Sequence, residues 1–432
     1  MLRTIGGVLL CAVMAAALSA QTLKPLVTFN GTNGNDPFAS LTYGSDGNLY
    51  GTTVYGGNAD SGIVFSISPE GAQTILYNFC QQPGCTDGAY PEWLTQASDG
   101  NLYGETYNGG SAGAGTIFKI TTSGQFTTLY SFCALANCAD GALPQSALVQ
   151  TSDGSFYGTT VIGGSQNQGT VFKFANGALT TLYNFCIQSN CADGAQPNIG
   201  LTLASDGNFY GTAALGGKPS PECLYRCGTL FLITPGGQFT LLYSFCVVNK
   251  CPDGAIPQGL LVQARDGSLY GTTDGGGVNK SGTAFKVTPK GKFTTLHSFC
   301  TGTCQDGAIP YAGLIQATDG NFYGTTNLEG PGGFGTVYKM TPSGVVTSLW
   351  GFDGGSDGAF PVAGVIQGNG AVLYGATEQG GDANCSSLGC GVVFQLSAKA
   401  GNQTATSGTG YRAENFDLAS KPMPISVVGA KR

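Results

Sequence analysis

Only one histidine, His297, occurs in the 432 residues of this chain. Triad and histidine-based lyase chemistry therefore has no second imidazole to draw on. Charge is equally scarce. Asp, Glu, Lys and Arg make up 10% of the sequence, with 18 basic against 25 acidic residues and a net charge of −7. No long basic run occurs, which excludes a positive footprint for nucleic acid. Long apolar runs are missing too. After residues 8–18 no stretch reaches membrane-spanning length, so no membrane span is expected in the mature chain. A helical period is absent from the repeated region described below. The many GG and GxG pairs therefore open no helix and do not read as nucleotide-binding loops.

What is present is glycine, 71 residues of it, together with 41% hydrophobic and 10% aromatic residues. The apolar residues recur in short alternating runs, which is enough to build a core. The N-terminus reads as a secretory signal peptide over residues 1–20. Arg3 supplies the positive start, residues 8–18 the apolar run, and Ser19 and Ala20 the small residues ahead of Gln21. Cys11 lies inside that run behind the bulky Leu10, so it is expected to leave with the signal rather than carry a lipid.

A fixed period runs through the rest. The Tyr-Gly of a YGTT-like motif falls at Tyr50, Tyr103, Tyr157, Tyr210, Tyr270, Tyr323 and Tyr374. Each copy divides into four strand-like runs rich in Val, Thr, Tyr and Phe. In the third copy these are 147–150, 155–160, 169–174 and 179–185, separated by turn signals such as Asp153-Gly154 and Asn176-Gly177. Solenoid coils are shorter and lack this hairpin grammar. The reading is an all-β, seven-bladed β-propeller of four-stranded antiparallel blades over residues 21–397. The run LVTF at 26–29 resembles fourth-strand ends such as LYSF at 129–132, and the seventh copy stops after its third strand. An N-terminal strand is thus expected to complete the last blade and remove an open edge. Residues 398–432 read as a flexible tail.

Fourteen cysteines remain after the signal, in seven local pairs: Cys80/Cys85, Cys133/Cys138, Cys186/Cys191, Cys223/Cys227, Cys246/Cys251, Cys300/Cys304 and Cys385/Cys390. Even number, export and tight pairing predict disulfides rather than zinc, which needs four ligands, usually at CxxC-type spacing. In an up-and-down blade, the turns after strands one and three share one face. The loops after strands two and four share the other. Every cysteine pair falls on the second face. Function tends to reside on such elaborated loops, so this face is expected to carry whatever the protein binds.

The repeat resembles the GloVer-type tandem repeat of exported bacterial proteins. The resemblance rests on DGAxP, DGNxYGTTxxGG, GTVFKxTPxG and TTLYSFC, which read here, for example, at 306–310, 319–326, 335–344 and 293–300. It covers about 26 to 397 and implies export and a propeller-like array, with no established activity.

Two sets of residues stand out as ligand-face candidates. DGAxP places Asp87, Asp140, Asp193, Asp253, Asp306 and Asp357 just before each first strand, with Asp36 a looser match. They suit either a ring of oxygen ligands for a divalent cation such as calcium or a set of loop caps bonding backbone amides. No other cofactor is implied. The second set departs from the repeat. Glu105 stands where other copies have Thr, Glu92 and Trp93 break the entry to the same blade, and Tyr107, Glu329 and Glu378 lie in or beside second-strand loops. A carboxylate beside an aromatic suits sugar binding, and paired carboxylates suit glycoside hydrolysis. Drift on exposed loops is the plainer reading. His297 falls where other blades have an aromatic, such as Tyr243 or Trp350, and is expected to pack in strand four. The sequence therefore points to a secreted, cell-surface or periplasmic binding module with a polysaccharide or protein partner. A carbohydrate-active enzyme and a structural envelope component are the alternatives.

Overall fold

In a computed structural model, the described residues are 21–222, 227–381, 385 and 388–397. The signal peptide over 1–20 and the tail over 398–432 lie outside them. Seven antiparallel sheets follow one another along the chain and form the seven blades of a β-propeller. Blade 3 runs Val149–Gln150, Phe156–Ile162, Thr170–Ala175 and Ala178–Asn184, close to the sequence reading, and Ala142–Pro144 also joins its sheet. Blade 7 begins with Ile366–Gln367, Val372–Thr377 and Val392–Ser397. Its outermost strand is Leu23–Thr28, paired antiparallel with Val392–Ser397. The N-terminal strand thus closes the ring.

The repeated motif residues explain why each blade forms. In strand two, Gly51 of YGTT lies under the Phe65 ring, where an added Cβ would sit 2.6 Å from that ring. The first Thr bonds forward to the next blade: Thr272 Oγ1 donates to Ala312 O at 2.9 Å and Thr325 Oγ1 to Ala363 O at 3.0 Å. The second Thr pairs with the Thr that opens strand three, as in Thr160–Thr170 at 2.9 Å, both fully buried. In the plain-face turns, Tyr323 Oη donates to Asp319 at 2.9 Å, and Lys339 reaches the same carboxylate at 3.1 Å.

Blades adhere through aromatic rings. Phe79, Phe132, Phe185, Phe245, Phe299 and Phe352, each just after a fourth strand, are fully buried. The strand-four tyrosine stacks on the strand-four phenylalanine of the next blade, with Tyr77 and Phe126 centred 4.0 Å apart and Tyr243 and Phe293 likewise. Each buried Phe contributes about 2–3 kcal/mol by area removed from water. The core is therefore a ring of inter-blade clusters rather than one central mass.

Candidate functional site

Six of the expected disulfides are formed: Cys80–Cys85, Cys133–Cys138, Cys186–Cys191, Cys246–Cys251, Cys300–Cys304 and Cys385–Cys390. The Cys223/Cys227 pair involves residue 223, outside the described residues. Each of the first five bridges closes the loop between strand four and the next blade. The second cysteine's carbonyl then accepts a hydrogen bond from a loop glycine of that blade. Gly110 N–H bonds Cys85 O at 2.9 Å, Gly164 bonds Cys138 at 2.9 Å, Gly217 bonds Cys191 at 2.9 Å, Gly277 bonds Cys251 at 2.8 Å and Gly330 bonds Cys304 at 3.1 Å. Both cysteines of these pairs hold positive φ, for example 64° at Cys186 and 52° at Cys191. That conformation costs an L-residue roughly 1–2 kcal/mol, and the crosslink helps to hold it.

The DGAxP aspartates sit at the base of these loops, among donors. Asp87 accepts from Tyr77 Oη at 2.8 Å, Gln81 N at 2.9 Å and Gln82 N at 3.2 Å. Asp140 and Asp193 repeat the pattern with Tyr130 and Tyr183, and Asp253 does so with Tyr243. Asp306 takes His297 Nε2 at 2.8 Å in place of a tyrosine, and Asp357 takes Trp350 Nε1 at 2.9 Å. The strand-four aromatic is thus chosen for its polar tip as well as its ring, a pairing the sequence reading did not draw. These aspartates anchor loops to the outermost strand and do not line the channel. Asp36 is not equivalent to them. It occupies the x position of DGAxP, with φ 62° like Tyr90 at 58° and Ile309 at 58°. At Asp357, burial first, then neighbouring Asp353, pushes the carboxyl up to about 7.

The channel is lined by other residues. Phe38, Gln145, Asn198, Gln258, Tyr311 and Val362, each immediately after the motif proline, face it, together with Trp93, Ile199 and Leu260. Blade 2 has one residue fewer than its neighbours between this proline (Pro91) and the next core leucine (Leu94). Trp93 therefore stands where blades 4 and 6 have Gly200 and Gly313. The space left between these side chains has room for little more than a single water molecule.

Glu92 and Glu105 are not exposed; both are 0% accessible, which corrects the expectation of a surface carboxylate beside an aromatic. Glu105, in strand two, faces blade 3, where Ser146 N and Oγ each donate to its Oε2 at 3.1 Å. Burial raises its pKa well above the usual carboxylate value. Burial also pushes Glu92 up to about 8, with Asp36 adding to the shift and nearby Gln145 partly offsetting it. Neither Glu92 oxygen has a hydrogen bond of standard geometry. A carboxylate missed in the sequence, Asp274, is pushed by burial up to about 8 as well. Tyr107, at the end of strand Leu102–Asn108, and Glu329 and Glu378, in second-strand loops, are half-buried, with Glu329 at φ 61°. Burial raises Tyr107, and Glu92 adds to it.

Exposed apolar side chains gather on the cysteine loops of consecutive blades. Leu135 is 57% exposed, Ile187 55%, Val247 45% and Val248 52%. The neighbouring loop of blade 5 carries Val278 at 79%. The equivalent loops elsewhere present Gln81 and Thr301. Among the described residues, no helix is long and apolar enough to cross a membrane.

Solved structures with this fold include a streptogramin B lyase (TM-score 0.56, 14% identity, covering 88% of this chain and 98% of that one). The extracellular domain of a hybrid two component system of B. thetaiotaomicron matches with TM-score 0.56 and 13% identity over 90% of this chain and 44% of that one. A puromycin hydrolase matches with TM-score 0.52 and 14% identity over 80% and 50%. At these identities the likeness is one of fold. No curated protein matches the sequence. The Gloeobacter/Verrucomicrobia repeat matches residues 83–263 and 220–412, most of the chain, and the protein belongs to that repeat family.

Proposed function

We propose that this protein is an exported binding module whose cysteine-loop face holds its partner. The observation that carries this reading is the run of exposed aliphatic side chains, Leu135, Ile187, Val247 and Val248, on crosslinked loops of three consecutive blades. Loops already fixed by disulfides and by inter-blade hydrogen bonds lose little further entropy on binding. Isolated surface hydrophobics need no explanation, but their recurrence within the two positions after the leading cysteine on neighbouring blades, where Gln81, Gln82 and Thr301 stand in other blades, favours a contact patch. The signal-like N-terminus and the disulfides support an extracellular or periplasmic setting, and the extracellular domain of a hybrid two component system is a fold neighbour. Hydrolysis by paired carboxylates needs an open pocket around them, whereas Glu92 and Glu105 are sealed.

The test is a screen of the purified protein against a glycan array and a displayed peptide library. Retained probes are then measured on a variant carrying Leu135→Ser, Ile187→Ser, Val247→Ser and Val248→Ser. Loss of binding at an unchanged melting temperature supports the reading. Retention by that variant, with loss in Asp206→Asn on the plain face, overturns it.

A further inference from the structure

We infer that Cys227, Cys246 and Cys251 form a thiol–disulfide exchange site, in which the Cys227 thiolate attacks the buried Cys246–Cys251 bridge at Cys251. The sequence pattern treats each cysteine pair as standing alone, but the fold brings two pairs together. In blade 4 the antiparallel register sets Thr229 of strand three opposite Ser244 of strand four. Two residues beyond that pair, Cys227 comes opposite Cys246. Other blades place Ser61, Ala114, Gln168, Ser281, Phe334 or Cys390 at the position of Cys227, and only blade 4 has cysteine on both strands. The Sγ atoms of Cys227, Cys246 and Cys251 lie within 4.8 Å of one another. Cys246 and Cys251 are joined, and Cys227 is itself disulfide-bonded, in the pair that the sequence makes with Cys223. The three residues are 0%, 2% and 5% exposed. Bridges at the same loop position of other blades, such as Cys133–Cys138 and Cys300–Cys304, are only half-buried.

Exchange requires a thiolate that can reach a disulfide sulfur. Burial screens the Cys246–Cys251 bond from thiols in solution, whereas a thiolate already beside it acts at high effective concentration. The reaction balances with one external monothiol. Its thiolate attacks the sulfur bonded to Cys227, makes a mixed disulfide there and releases Cys227 as a thiolate. Cys227 Sγ then attacks Cys251 Sγ. The Cys227–Cys251 bond forms, the Cys246–Cys251 bond breaks, and its electron pair leaves on Cys246 Sγ, which takes a proton from water. Ser220 sets this direction, because its hydroxyl lies 3.2 Å from Cys246 Sγ. A crosslinked sulfur carries no proton, so Ser220 is the donor. A donor at the departing sulfur stabilises the thiolate and makes it a better leaving group. The exchange opens the loop that carries the exposed Val247 and Val248. It is read from the bridges alone, whatever the cysteine-loop face binds.

The experiment treats the folded wild-type protein with increasing glutathione at pH 8, traps thiols with N-ethylmaleimide, digests with trypsin and chymotrypsin, and maps the bridges by mass spectrometry. A peptide linking Cys227 to Cys251 is expected, together with alkylated Cys246. In the double variant Cys223→Ser, Cys227→Ser the attacking sulfur is gone. Its Cys246–Cys251 bridge is expected to open about tenfold more slowly or worse, since only thiols from solution remain to attack it. Ser220→Ala keeps every cysteine, and is expected to slow the appearance of the Cys227–Cys251 peptide severalfold. Absence of that peptide at every glutathione concentration up to one that opens the half-buried bridges overturns the proposal. A Cys227–Cys246 link in its place does so too, as does equal loss of the Cys246–Cys251 bridge in wild type and double variant. Stoichiometric zinc in the protein as purified also overturns it, because the sulfurs are then ligands rather than exchange partners.

Discussion

At the residue scale, the repeat conserves hydrogen-bond pairs. Asp193 is fully buried and accepts Tyr183 Oη at 2.8 Å and the amides of Ile187 and Gln188 at 3.2 Å each. Asp193→Ala leaves these donors unmet and is expected to cost about 2–4 kcal/mol, read from the midpoint of a denaturant titration. Tyr183→Phe, which removes one bond and keeps the ring stack on Phe239, is expected to cost about 1 kcal/mol. Glu92 gives the opposite case, a carboxyl that prefers to be neutral. Its folded value of about 8 exceeds the ordinary 4.5. As pH rises through that window the unfolded chain loses its proton and the folded chain keeps it, so stability falls with rising pH and levels off above about 8. Glu92→Gln is therefore expected to raise Tm at pH 7–8 and little at pH 4.5. A Tm difference independent of pH contradicts the burial of this group.

At the element scale, strand order and closure were legible because period-2 alternation, DG turns and the seven YG signatures are local signals. Closure depended on recognising LVTF at 26–29 as a fourth strand without its blade. In the structure Val27 and Phe29 are buried and Leu23 pairs with Leu396. Deleting residues 21–30 exposes the edge of Val392–Ser397 and the Phe29–Phe65 contact at 5.4 Å. It is expected to lower stability by several kcal/mol, seen as a drop in Tm of well over 5 °C. The candidate site was less legible. The sequence singles out Glu92, Trp93 and Glu105 as departures, but it does not say which way they point. Glu105 holds the place of an inward Thr, so burial could have been inferred from the motif itself. Trp93 reaches the channel because blade 2 is one residue short, which only alignment of all seven prolines with the leucines that follow reveals. Gln145, Asn198 and Gln258 carry no motif signal, because the position after the motif proline differs from blade to blade.

At the scale of the whole molecule, the two faces are held together differently, and that difference can be measured. The plain-face turns close on side chains, with Asp99 bonded to Lys119, Asn101 and Tyr103. The elaborated face depends on crosslinks, because in the five bridges that follow a fourth strand the second cysteine presents its carbonyl to a glycine of the next blade, in a left-handed conformation that the disulfide helps to maintain. Each five- or six-residue closure constrains the unfolded chain by only about 2 kcal/mol in the loop-entropy model, so a propeller with large inter-blade clusters should survive reduction. What reduction should change is local opening. Under mild dithiothreitol at neutral pH, amide exchange is expected to accelerate in segments containing Gly110, Gly164, Gly217 and Gly277, whose N–H groups bond the cysteine carbonyls. Exchange in third strands such as Thr116–Ile120 and Thr283–Val287 should stay slow. Mass-resolved hydrogen exchange with and without reductant separates the outcomes. Uniform acceleration would make the bridges global staples, and no change would make them ornamental. Selective loosening of one face would show that the disulfides keep that surface in a single shape, which is what a preorganised binding face requires.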